Sequence, residues 1–257
     1  MINEANKALL YCELDEWNYI GEQALFWWRD DDAQTESNQL DELVNLCDRY
    51  TVPLSMAVIP DGSTDALKHR IADKDIRVLQ HGYAHKNHAD AGQKKQELGN
   101  RELDAIRSEL TDGFAILSDR FGEQFDAVLV PPWNRVDTRL FPYLNEIGLL
   151  GVSTYGPRKE VQLVDNLHVV NVHVDIINWK EQKRFLGEEL IINHIVRHLS
   201  AKRLGRVDAF EPTGIMTHHL VHDDECWQFL DGLFRAMDDH PAVKWLDATR
   251  AFALRWR

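Results

Sequence analysis

Eight short runs dense in β-branched and aromatic residues recur along the chain, separated by stretches whose apolar residues repeat at helical spacing. The runs are ALFWW (24–28), LSMAVI (54–59), IRVLQ (76–80), AVLV (127–130), LGVST (150–154), HVVNVHV (168–174), GIMT (214–217) and VKWL (243–246). In QLDELVNLCDRY (39–50), Leu40, Leu43, Val44 and Cys47 share one face at i, i+3, i+4, i+7, and Ser37 stands as the N-cap. Further helices are expected at 101–120, 138–147, 188–204, 224–238 and 247–256. Strand followed by helix through nearly the whole length calls for parallel strands joined by crossover helices. About seven or eight such units match the size of a βα barrel better than an open dinucleotide-binding sheet. Neither a Gly-rich dinucleotide fingerprint nor a P-loop occurs. No linker or internal repeat divides the chain, so one domain over 1–257 is expected.

Charge and cysteine usage remove several function classes. Lys and Arg total 29 against 42 Asp and Glu, a formal charge of −13, which opposes nucleic acid and anionic membrane surfaces. No apolar run approaches the roughly 20 residues of a membrane helix. Cys12, Cys47 and Cys226 are odd in number and widely spaced, which fits a reducing compartment better than a disulfide framework. The first 20 residues carry Glu4, Glu13, Asp15 and Glu16 where an export signal needs a basic start and an apolar stretch. A cytoplasmic protein with no nucleic-acid partner and no membrane insertion is expected. A chain of this size holds a core without metal, so any metal serves chemistry.

The polar residues cluster. His81, His85, His88, His173, His218, His219 and His222, seven of 12 histidines, fall at expected C-terminal strand ends. Asp30, Asp31 and Asp32 follow the first run, Pro131, Pro132 and Trp133 the fourth, and Asp175 the sixth. The opposite strand ends show no comparable cluster. In α/β barrels the C-terminal rim is where loops from every strand converge on the active site. Each feature alone has a plain reading: the acidic triplet as a solvated turn or N-cap, HGYAHKNH as a polar loop. Histidines four apart can also bring two imidazoles to one face, the separation that chelates a first-row metal. A carboxylate from another strand end completes an Asp-His-His set that leaves one position for water, as in hydrolytic sites. Trp27 and Trp28 are adjacent and point to opposite faces as packing residues. Trp133 and Trp179 lie in rim segments, where either packing or contact with a bound molecule is open to them. His69, His168, His194, His198 and His240 read as surface or packing residues.

Taken in order over roughly 24–222, these segments resemble the polysaccharide deacetylases of the NodB-homology type, carbohydrate esterase family four. RDDDA (29–33) resembles the family's TFDDG, and the small residue after the pair favours the register Asp31-Asp32-Ala33 over one beginning at Asp30. His81-Gly82-Tyr83-Ala84-His85 resembles His-Ser/Thr-x-x-His with glycine at the hydroxyl position. Val130-Pro131-Pro132-Trp133 resembles Arg-x-Pro-Tyr/Trp but has Val130 where the family has arginine, a position for which Arg29 or Arg135 is the substitute. Asp175-Ile176-Ile177-Asn178-Trp179 resembles Asp-x-x-Asp-Trp, and Met216-Thr217-His218 resembles Leu-x-His.

The resemblance implies a distorted (β/α)7-type barrel with its site at the C-terminal strand ends. It implies metal-dependent removal of an N-acetyl or other N-acyl group from an amino sugar or glycan. Asp32, His81 and His85 would hold a divalent metal, zinc first and cobalt, manganese or iron next. Asp31 would be the base, His218 the acid and Asp175 its orienting partner. Pro132, Trp133, Trp179 and Met216 would border the substrate, with the Trp133 N–H facing the oxyanion. Two other readings remain. One is a catalytically degenerate barrel that binds a glycan or metabolite, for which the absent arginine speaks. The other is a metal-independent cyclic-amide hydrolase of the same fold, against which the complete ligand set speaks.

Overall fold

The computed structural model describes residues 2–181 and 183–253. Helix α1 (Glu4–Tyr19) precedes β1 (Ala24–Ala33), followed by α2 (Asn38–Tyr50), β2 (Leu54–Val58), α3 (Asp65–Ile71), β3 (Ile76–His81), α4 (Leu103–Phe121) and β4 (Phe125–Val130). Then come α5 (Phe141–Ile147), β5 (Gly151–Val152), β6 (Gln162–Val164), β7 (Leu167–Val169), β8 (Val174–Asp175), β9 (Ile177–Asn178) and β10 (Arg184–Phe185). The chain continues through α6 (Glu188–Arg203), β11 (Thr213–Thr217), α7 (Asp224–Asp238), β12 (Val243–Leu246) and α8 (Ala248–Ala253). The part of the expected last helix beyond residue 253 lies outside the described residues.

Ten of the strands form one ladder in the order β6-β7-β5-β4-β3-β2-β1-β11-β8, parallel except for β6 with β7, with β12 paired to the first half of β1; β9 and β10 form a separate antiparallel pair. The run read as one strand at 168–174 is split. Its first part, β7, pairs with β5, and its last part, β8, pairs with β11. Between them the Val172 N–H donates to the Thr154 carbonyl at 3.0 Å and the His173 N–H to Gly214 at 2.8 Å. This broken stave joins the two ends of the ladder, so β1, β2, β3, β4, β5, the stave and β11 surround a lumen. The result is the distorted α/β barrel architecture.

Strand alternation sorts β1 cleanly. Trp27 packs inside the lumen with Ala57, Leu79, Val128, Val172 and Met216, whereas Phe26 and Trp28 pack outward into the layer that contains Leu43 of α2, Ile195 of α6 and Phe234 of α7. Ala248, Ala251 and Phe252 of α8 plug the lumen, with the Phe252 ring perpendicular to Trp27 at 6.2 Å. Truncating a fully buried tryptophan such as Trp27 to alanine costs about 3–5 kcal/mol in a core of this kind. Helix α2 forms as its pattern requires, Ser37 Oγ accepting the Leu40 N–H at 3.0 Å and Leu40, Leu43, Val44 and Cys47 buried.

Two helices escaped the periodicity. In α1, Leu10, Leu14 and Trp17 are buried, but so are Asn6 and Glu13. Asn6 donates to Glu188 Oε1 at 2.7 Å and Glu13 pairs with Arg203 at 2.9 Å, both partners on α6. A buried face stitched by polar pairs carries no strong apolar stripe. Helix α3 has only seven residues, capped by Thr64.

The strand starts are not free of polar clusters, contrary to the sequence expectation, and His173 does not sit at the rim. It lies opposite Gly214 near the start of β11, with His198, Lys202 and Glu211 buried around it. Glu211 accepts from the backbone N–H groups of Arg158 at 2.9 Å and Asn171 at 2.8 Å, and from His173 Nε2 at 3.2 Å. The Gly214 N–H donates to His173 Nδ1 at 2.9 Å, which assigns the ring proton to Nε2. His173, His198 and Glu211 are close enough for a metal, but that tautomer gives the His173 proton to Glu211, while His198 Nδ1 meets Thr213 Oγ1 at 3.0 Å and its Nε2 has no partner among the described residues. Burial pushes His173 down to about 3, His198 to about 2 and Lys202 to about 7, and Glu211 up to about 7. His198 is therefore a packing residue, its ring stacked on His173 at 3.6 Å.

Candidate active site

The three consecutive aspartates part company because β1 ends in a bulge. Through Asp31 the strand alternates, so Arg29 and Asp31 follow Trp27 into the lumen and Asp30 points outward. Between Asp30 and Ala33 the register against β2 shifts, and Asp32 takes a left-handed conformation with φ 76°. This bend places the Asp32 carboxylate beside the histidines at the end of β3. Asp30, wholly buried, accepts from Thr217 Oγ1 at 2.6 Å, the His219 N–H at 3.0 Å and His219 Nδ1 at 2.5 Å. Burial works to raise its pKa, but the charge and hydrogen bond of His219 outweigh burial and hold it low. Asp30 clasps β1 to the end of β11.

Asp32, His81 and His85 converge. His81 Nδ1 lies 2.9 Å from the Val130 carbonyl oxygen, which can only accept, so Nδ1 carries a proton and Nε2 presents its lone pair when the ring is neutral. That Nε2 is 3.0 Å from Asp32 Oδ1, and His85 Nε2 is 3.2 Å from the same oxygen. Lone pairs facing a carboxylate need a cation or a proton between them. Burial opposes charge on His81, yet the Asp32 hydrogen bond and the Asp31 and Asp32 charges raise its pKa. Burial and the neighbouring His81 lower that of His85. Burial also resists ionisation of Asp32, but His81, His218 and His85 prevail and hold it well below the carboxylate range. A proton satisfies one imidazole, while a divalent cation satisfies all three donors, so the donor set fits such a metal.

Arg29 lies beneath Asp31, fully buried. Nε donates to Asp31 Oδ1 at 2.8 Å and Nη2 to Oδ2 at 2.9 Å; Nη1 reaches Ser153 Oγ at 2.7 Å, and Nη2 also reaches Asn134 Oδ1 at 2.9 Å. Met216 Sδ caps the guanidinium at 3.1 Å. Arg135 instead donates to the Lys95 carbonyl at 2.8 Å. Of the two arginines considered for the position of Val130, Arg29 is the one that meets the aspartate.

Across from this pair His218 Nε2 stands 3.9 Å from Asp31 Oδ2. Asp175 is near but does not hold His218 by a hydrogen bond among the described residues. Its Oδ1 accepts the Ile177 N–H at 2.9 Å and its Oδ2 the Trp179 indole N–H at 2.7 Å. Burial raises the Asp175 pKa against the opposing pull of His218. The His218 ring is met edge-to-face by Trp179 at 4.6 Å. On the other side Trp133, in a left-handed turn at φ 55°, lays its ring 4.4 Å from His85, and Pro132 packs on Gly82. The ten residues singled out from the sequence thus gather in one place.

Sequence reasoning missed Glu97, which accepts three backbone N–H groups of the 82–86 turn from a position 12 residues beyond His85. It also missed Ser153 and Asn134 on Arg29. No spacing rule links these residues to their partners. His219, by contrast, follows His218 and is buried against Asp30.

No family model and no curated protein matches the chain. Solved structures do match. A family 4 acetyl xylan esterase from Clostridium thermocellum, in complex with a cobalt ion, superposes with TM-score 0.54 at 15% identity over 90% of this chain and 91% of its own. A peptidoglycan deacetylase mutant from Bacillus subtilis gives 0.56 at 11% identity over 89% and 90%. The chain has the fold of the family-four polysaccharide deacetylases. A mutant of a family pseudoenzyme with restored enzymatic activity also matches, at 0.57 and 13% identity over 90% of this chain and 68% of its own. In this chain Asp32, His81 and His85 lie together, and the arginine beside Asp31 comes from β1.

Proposed function

We propose that the protein is a metal-dependent deacetylase that removes an N-acetyl group from an amino sugar. The observation that carries the reading is the Asp32–His81–His85 donor set opening beside Asp31 and His218, an acid–base pair 3.9 Å apart. Asp32, His81 and His85 would hold a divalent cation, zinc by the chemistry of one carboxylate and two imidazoles, which would supply Lewis acidity toward the acyl carbonyl and the attacking water. Asp31, oriented by Arg29, takes the water proton as the water oxygen bonds to the acyl carbon. The Trp133 N–H faces the oxyanion of the tetrahedral intermediate. His218 gives a proton to the nitrogen as the C–N bond breaks, with Asp175 and Trp179 holding its surroundings. Met216 floors the acyl pocket, and Pro132, Trp133 and Trp179 border the sugar.

The binder reading drew its support from the valine at the arginine position, and Arg29 removes that support. The complete Asp32–His81–His85 set speaks against the cyclic-amide reading. The deciding experiment is metal analysis of the purified protein with acetate-release assays on N-acetylated and O-acetylated sugars. About one metal per chain and amide turnover lost in Asp31→Asn are expected; a metal-free protein that takes up no zinc, cobalt or manganese overturns the reading.

A further inference from the structure

Glu97 lies in the long coil between β3 and α4, 1% exposed. Its Oε1 accepts the N–H groups of Ala84 at 2.8 Å and Lys86 at 3.2 Å, and its Oε2 that of Tyr83 at 3.1 Å. All three donors belong to the turn that carries His85, whose own φ is 53°. A left-handed histidine is held there only if its surroundings over-determine the backbone. A carboxylate collecting several amide N–H groups is a strong, directional way to do so.

Gly82 is the other half of the arrangement. Its φ is +56°, and a Cβ built on it would lie 2.0 Å from Glu97 Oε2 and 2.7 Å from Cγ and Cδ of Pro132. A side chain at 82 and the carboxylate of Glu97 cannot share that space. The glycine in His81-Gly82-Tyr83-Ala84-His85 therefore marks where an acidic side chain enters from a distant coil.

We infer that Glu97 is a positioning residue for His85, clamping the 82–86 turn through its backbone while Gly82 leaves the room for it, so that affinity of the site for metal depends on a residue that touches neither metal nor substrate. The inference rests on the metal site proposed above. Outer partners of this kind set metal affinity by about 10–100-fold.

The test is cobalt(II) titration, read by calorimetry and by visible absorption, of the intact protein and of Glu97→Gln, Glu97→Ala, Gly82→Ala and the Gly82→Ala/Glu97→Ala double variant. Amide hydrogen exchange at 83, 84 and 86 is followed on the metal-free proteins. Glu97→Ala is expected to weaken cobalt binding by about 10–100-fold, alter the cobalt spectrum and speed exchange of those three amides. Glu97→Gln keeps an acceptor for Ala84 and Lys86 but turns an NH2 toward Tyr83, so its loss is intermediate while its thermal midpoint stays near that of the parent; it decides the matter if the alanine variant does not fold. Gly82→Ala should weaken binding more in the parent than in the Glu97→Ala background, where only Pro132 and the positive φ still oppose the added methyl. Parent-like cobalt affinity and exchange in Glu97→Gln and Glu97→Ala would overturn the inference alone. A parent protein that binds no cobalt would remove the metal site itself, and the inference with it.

Discussion

Arg29 and Asp31, two residues apart on β1, meet side by side in the lumen through two parallel hydrogen bonds of 2.8 and 2.9 Å, with the guanidinium wholly shielded from solvent. Period-two alternation makes the pairing possible, and burial makes it consequential. Removing one partner of such a pair leaves an uncompensated charge inside the barrel, at about 3–5 kcal/mol. Arg29→Met should therefore lose both stability and turnover, whereas Arg135→Met should stay within about 0.5 kcal/mol of the parent. Urea denaturation and acetate release on the same samples check this; equal effects of the two changes would refute it.

The three aspartates should fail in three ways. Asp32→Ala leaves two imidazoles and is expected to lose metal, with turnover partly recovered in excess zinc. Asp31→Asn should keep metal and lose turnover by about 10²–10⁴. Asp30→Asn turns a donor toward donors in a buried clasp, so it should cost about 1–3 kcal/mol of stability with metal content unchanged. Metal loss in Asp30→Asn would show that the clasp has been misread.

His222 sets an acid limb on stability. Burial pushes its pKa down to about 4, against Asp30 and Asp223, which raise it, and with His219 and His218, which lower it further. The unfolded imidazole titrates near 6.5, so between the two values the unfolded state binds more protons. This contribution is full above about pH 6.5 and is lost as pH falls through about 4. Neither ring nitrogen has a hydrogen-bond partner among the described residues, and the ring meets Trp227 edge-on at 4.4 Å. His222→Phe should keep that contact and be more stable than the parent, with the gap widening from pH 7 to pH 4.5 in denaturation curves. A gap constant with pH would contradict it.

Trp179 holds Asp175 through its indole N–H and His218 through its ring. Trp179→Phe removes only the first and should lower turnover less than Trp179→Ala, which removes both. Steady-state kinetics on an N-acetylated sugar distinguish the two, and identical values would rule out the ring contact as a support for His218.

Local patterns made part of this legible. The His81/His85 spacing, the Ser37 cap and the apolar stripe of α2 lie within one or two turns of chain, where periodicity speaks. The pairing of Arg29 with Asp31 needed one further fact, which face of β1 looks into the lumen, and that is fixed by distant strands such as β11, where Met216 lies beside Arg29. His173 was misplaced because the valine-rich run at 168–174 gives no sign that it will break and pair with two different neighbours. Helix α1 stayed hidden because Asn6 and Glu13 occupy its buried face beside Leu10 and Leu14. Glu97 finds the 82–86 turn across a coil, and only three-dimensional proximity reveals it.

The cation that braces Asp31 rises from the floor of the barrel, not from the loop after β4. Among the described residues Asn134 makes that loop's one hydrogen bond to Arg29, so the loop carries little of the bracing of Asp31. Changes in that loop that spare Asn134 can then reshape the mouth while the Arg29–Asp31 pair stays in place. The demand of holding that pair falls instead on Ser153, whose Oγ accepts from Arg29 at 2.7 Å.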